Sequence, residues 1–141
     1  MPLEEMPSVS PQFVHAVEWA MTQARQSQDE TVRFMVSYIP IYAQYRPTRA
    51  QAVAGGCPTC TYLGLWADAW PGYEPAKHGL IFLFEEGIRS MGGALREQVY
   101  ATLIHEMDHA LQRDHILHGV MEAKAAAMYR PYAPYVGCCG R

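Results

Sequence analysis

Leu80-Ile81-Phe82-Leu83-Phe84 is a wholly apolar run, bounded by Gly79 on one side and the acidic pair Glu85-Glu86 on the other. Beyond Gly92-Gly93, apolar residues recur at helical spacing: Val99, Tyr100, Leu103, Ile104, Met107 and Leu111. A short apolar run with polar borders reads as a buried strand, and the recurrence reads as an amphipathic helix over 97–113. A strand buried on both faces, followed by a long one-sided helix, already requires a layered domain.

Working outward, Thr61 to Trp66 is expected to form another strand, and Asp68 to Gly79 reads as loop through Pro71, Gly72 and Pro75. Residues 46–60 hold Pro47, Pro58, Gly55 and Gly56 and read as a long loop with one helical turn. Further upstream, Val32, Phe34, Val36 and Tyr38 alternate with Arg33, Met35 and Ser37, which predicts a strand ending before Pro40. Ser10-Pro11 supplies a helix cap and a proline at the first helical position. Phe13, Val17, Ala20, Met21 and Ala24 then predict a helix over 11–26. Downstream, Gly119 interrupts the pattern, Val120 to Tyr129 is Ala-rich and helical, and Pro131 and Pro134 end it. The expected fold class is α+β, one domain over 1–141, with a small mixed sheet packed on helices.

Composition narrows the function. The chain has 141 residues, 50% of them hydrophobic and 18% charged, which is enough apolar material for one core and excludes disorder as the main state. Eleven basic residues against 14 acidic ones give a net charge of −3, without the basic face of a nucleic-acid binder. No apolar run reaches the length of about 18–20 residues that a membrane span needs. Residues 1–10 lack the charged-then-apolar order of a secretory leader, so the expected location is cytoplasmic.

The stretch that carries chemistry is His105-Glu106-Met107-Asp108-His109-Ala110-Leu111-Gln112-Arg113-Asp114-His115. His105 and His109 stand four residues apart on a helix, so both imidazoles lie on one face and can grip one ion. Glu106 is rotated by about 100° from His105, beside such an ion and not on it. A general base must stand there to take a proton from water activated by a metal. The plain alternative makes the histidines surface residues or partners of Asp108 and Asp114, with Glu106 a solvated charge.

Over residues 60–130 the chain resembles the zincin metallopeptidases. The resemblance implies Zn2+ as cofactor, His105 and His109 as ligands, Glu106 as catalytic base, and a peptide or protein as substrate. His115, six residues after His109, has the spacing of the third ligand in metzincins. The terminal pair Asp114-His115 is also similar to that of small SprT-related minimal zincins. The chain departs from metzincins at Gln112, where they place a glycine. A left-handed turn at a residue with a side chain costs about 1 kcal/mol, which moves the expected turn to Arg113 or Asp114. Glu122 is the competing third ligand, similar to the glutamate on the second helix of gluzincins, and its first-turn position is equally explained by the helix dipole. His118, Asp114 or water complete the alternatives. Strand 80–84, were it the sheet edge, would align an extended peptide as zincin edge strands do.

His105-Glu106-Met107-Asp108-His109 is also similar to the H-E-x-D-H form of peptide deformylase, whose third ligand is an upstream cysteine. Cys57 and Cys60 stand 48 and 45 residues before His105, but Gly55-Gly56-Cys57-Pro58-Thr59-Cys60 matches that family only loosely. A catalytically silent zincin-fold binding protein is the further alternative. Cys57 and Cys60, with Cys138 and Cys139, allow three readings: a second, structural zinc ion, one or two disulfides, or free thiols. Met121 and Met128 read as core. Tyr129, Tyr132 and Tyr135 read as packing residues, any one of which would suit an oxyanion partner. His15 and His78 carry no motif context.

Overall fold

The computed structural model describes residues 6–55 and 63–114, with side chains in the last helix described through Ala110. Helix α1 (Pro11–Arg25) starts as its sequence dictates, with Pro at the first position and the Ser10 hydroxyl accepting the Phe13 N–H at 3.1 Å. Its buried stripe is Phe13, Ala16, Val17, Ala20 and Ala24, a helical repeat that needs one apolar partner surface.

The next segment corrects the sequence reading. Residues 32–38 are not a strand but part of helix α2 (Glu30–Tyr38). Thr31, Val32, Met35 and Val36 are its buried face, so the apolar residues satisfy a 3.6-residue period as well as a two-residue one. The local tie is broken at the start: Asp29 caps the helix, its Oδ1 accepting the Thr31 N–H at 2.8 Å, and Glu30 complements the dipole in the first turn. Pro40 ends it by holding Ile39 in an extended conformation. The strand comes only afterwards, as β1 (Ile41–Gln44).

Helix α3 (Arg49–Gly55) is longer than the single turn expected. It opens with a reciprocal cap, Gln51 N–H donating to the Thr48 hydroxyl at 3.1 Å and Thr48 N–H to Gln51 Oε1 at 2.9 Å. Strand β2 (Gly64–Ala67) and strand β3 (Leu80–Phe84) follow. Helix α4 (Glu85–Ser90) was not foreseen and continues directly from β3. Gly92 and Gly93, at φ 73° and 78°, then turn the chain into α5 (Leu95–Asp114).

The sheet order is β1-β3-β2, with β1 parallel and β2 antiparallel to β3. The mixed sheet of the α+β fold class is therefore present, and β3 is its centre, paired on both sides. Ile81 and Leu83, with Gly64 and Trp66 in register, face α1, α2 and α5 across the main core. Leu80, Phe82, Phe84 and Leu65 face the other way, under Tyr42, Ala52, Trp70 and Ala76. Gly79 must be glycine: its φ is 86°, and a Cβ would stand 2.4 Å from Trp66 Nε1, which donates to His78 O at 2.9 Å. Among the described residues no helix is long and apolar enough to cross a membrane.

Ser10 and Glu85 tie the two ends of this arrangement together. Glu85, only 2% exposed, accepts the Ser10 backbone N–H at 2.7 Å and its hydroxyl at 2.6 Å, and Arg89 Nε donates to it at 2.6 Å. Burial alone would raise the Glu85 pKa, but the Ser10 and Arg89 donors outweigh it and leave it lowered. The start of α1 is thereby fixed to α4, which leads into α5.

Candidate metal centre

Helix α5 presents two surfaces over its last described turns. Val99, Leu103, Ile104, Met107 and Ala110 are buried in the main core, while His105, Asp108 and His109 are half-buried. Helical spacing puts His105 and His109 one turn apart on the same side, where their Nε2 atoms lie 3.1 Å apart and their rings meet edge to face at 84°. Glu106 is 2% exposed. One ligand atom from each of His105, Glu106 and His109 can be chosen so that all lie within 4.8 Å of one another.

The donor set suits a cation. Two imidazoles bound to one zinc at about 2.0–2.1 Å with a tetrahedral angle would hold their nitrogens about 3.3 Å apart. The observed 3.1 Å is reached from that value by a shift of about 0.2 Å, within the tolerance of such sites. His105 has its pKa lowered from 6.5 to about 4, first by burial and then by the charge of His109. It is therefore neutral near pH 7, which is the form a ligand needs.

The structure thus brings together His105, Glu106 and His109. Asp108 sits beside them on the half-buried surface of α5. Helix α5 runs unbroken through Asp114, so the turn expected at Arg113 or Asp114 is not made there. His115, Glu122, His118, Cys57, Cys60, Cys138 and Cys139 lie outside the described residues, as do Met121, Met128, Tyr129, Tyr132 and Tyr135. His15 is exposed on α1, and His78 packs edge-on against Phe34 and Tyr38, as befits residues without motif context.

The sequence reading missed what lies beneath Glu106. Gly64 on β2 and Thr102, one turn before Glu106, form its floor: a Cβ on Gly64 would stand 3.1 Å from Glu106 Cγ and 3.1 Å from Thr102 Cγ2. An isolated glycine inside a strand pattern was the available signal, since it marks a close approach of backbone to a neighbour.

No protein-family model matches the chain, and no curated protein matches it significantly. The functional reading therefore rests on the residues of the site.

Proposed function

We propose that the chain is a zinc-dependent metallopeptidase of the zincin type, acting on a peptide or protein substrate. The observation that carries the reading is the pair of imidazole nitrogens 3.1 Å apart with a buried carboxylate beside them. His105 and His109 would hold the ion through Nε2. The third ligand is assigned to the residues after Asp114, with His115 and Glu122 as the candidates; α5 carries the chain about 7.5 Å beyond His109 without a turn, which favours Glu122. When bound, zinc supplies Lewis acidity to the scissile carbonyl and to water.

Glu106 is the general base in this reading. One of its carboxylate oxygens takes a proton from the attacking water and returns it to the leaving nitrogen. Metal retention alone does not need a carboxylate at that position, which favours turnover over a silent binding role. β3 is central, so it cannot take a peptide at its edge; β2 has no strand partner among the described residues on its outer side and runs beneath the base. An extended substrate is accordingly assigned to β2, by strand addition. A cytoplasmic location belongs to the same proposal.

The test is metal content and peptide hydrolysis of the full chain and of Glu106→Gln. One zinc per chain in both, with cleavage of a peptide library only by the unsubstituted protein, is the expected result. Equal activity in both removes Glu106 as base, and the absence of tightly bound zinc removes the reading altogether. His115→Ala and Glu122→Ala identify the third ligand by loss of metal. Loss of the catalytic metal from Cys57→Ser or Cys60→Ser would point to the deformylase-like alternative, and two zinc ions per chain to a second site at the cysteines.

A further inference from the structure

We infer that Gly64 is a positioning residue for Glu106, fixing by its missing side chain where the carboxylate rests between α5 and the sheet; the inference builds on the peptidase reading above. Gly64 is not among the glycines with positive φ, so its backbone conformation is open to any residue. What excludes a side chain is space. An added Cβ would meet Phe82 O at 3.0 Å, Glu106 Cγ at 3.1 Å and Thr102 Cγ2 at 3.1 Å.

Two of these three neighbours cannot give way. Phe82 O belongs to the backbone of the central strand, held by both flanking strands. Thr102 is buried, and its hydroxyl donates to Gln98 O at 2.8 Å, which fixes the rotamer that aims the methyl at Gly64. The yielding partner is the Glu106 side chain, with its three rotatable torsions. A displacement at its Cγ is carried on to the carboxylate oxygens, which a base must keep within about 2.6–3.2 Å of the proton it takes. Neither His105 nor His109 is among the three nearest neighbours of that Cβ, so the histidines are not the groups it presses on first. β2 is also the strand assigned to the substrate. The same residue therefore registers the base against the backbone on which the peptide aligns.

The experiment uses the zinc-loaded full chain and compares Gly64→Ala, Glu106→Gln and the double variant Gly64→Ala/Thr102→Ser. Zinc content is measured by elemental analysis and acetohydroxamic acid affinity by calorimetry. A hydroxamic acid gives up its proton to a neighbouring carboxylate as it chelates the metal, so its affinity reports where that carboxylate stands. Gly64→Ala is expected to keep its zinc and to lose hydroxamate affinity by about tenfold or more, as Glu106→Gln does. Thr102→Ser removes the competing methyl and should recover part of that loss. On a cleavable peptide, Gly64→Ala should lower kcat by about a hundredfold, the scale of a 1 Å misplacement.

Hydroxamate affinity unchanged by Gly64→Ala, while Glu106→Gln abolishes it, overturns the inference and leaves the peptidase reading intact. Loss of zinc in Gly64→Ala and in the double variant makes Gly64 a packing residue only, and also overturns it. An unsubstituted chain that binds no zinc overturns both.

Discussion

Removing the Glu85 carboxylate should cost about 3.5 kcal/mol, and the way that loss couples to Ser10 tests the proposed clamp between α1 and α4. The Glu85 side chain is 3% exposed and accepts three hydrogen bonds of 2.6–2.7 Å. A hydrogen bond to a buried charge contributes about 1.5 kcal/mol or somewhat more, and two of these come from Ser10. The third comes from Arg89, whose side chain is 44% exposed; solvent screening limits it to about 0.5 kcal/mol. Glu85→Ala should therefore lower the melting temperature by about 10 °C.

Ser10→Ala removes the same two-point contact in part and also the cap on Phe13, the latter at about 1 kcal/mol. Urea denaturation of both single variants and the double variant isolates the shared term. A coupling of about 1 kcal/mol or more is expected between residues 75 positions apart. The pH dependence carries a definite sign. Because the folded-state pKa of Glu85 is lowered, its contribution is fully present above about 4.5 and disappears as pH falls through the lower folded value. The gap in stability between the parent and Glu85→Ala should thus close in acid. Additivity within about 0.5 kcal/mol, or a gap that persists unchanged to pH 2, would refute the argument.

Two further outcomes follow from other parts of the molecule. Gly79→Ala combines a left-handed conformation with a clash against Trp66 and should cost about 2–3 kcal/mol in urea denaturation, with a change in tryptophan fluorescence. In chelator-treated protein, the His105 pKa of about 4 lies below its value of about 6.5 in the unfolded chain. The unfolded state then binds the proton first, so His105 should lower stability as pH falls from about 6.5 to 4, by at most about 3.5 kcal/mol, and add no further loss below that. His105→Ala should flatten that decline, as read from urea midpoints against pH.

The parts of this protein legible in its sequence are those in which the deciding interactions lie within one or two turns of chain. Ser10-Pro11 and the following apolar stripe start α1 through a cap three residues from the N–H it satisfies and a proline at the first helical position. The uninterrupted apolar run 80–84 had to be buried on both faces, and it became the central strand. The approach of His105 to His109 needed only helical geometry, because four residues of α-helix bring two side chains together wherever that helix lies.

Residues 32–38 read as a strand because seven residues of apolar alternation fit two periods, and the choice depended on the Asp29 cap and on the face that α1 offered. No local pattern could show that Glu85 would receive Ser10, or that Gly64 would lie against Glu106 and Thr102, since these partners meet only once the sheet and helices have stacked. The sequence by itself determined which segments are helix-capped, which run must be buried, and that two imidazoles share a helical face. Only the tertiary structure decided which strand lies central and what stands beneath the carboxylate. The first set follows from torsions and bonds along a few residues, whereas the second follows from which surfaces exclude water against each other.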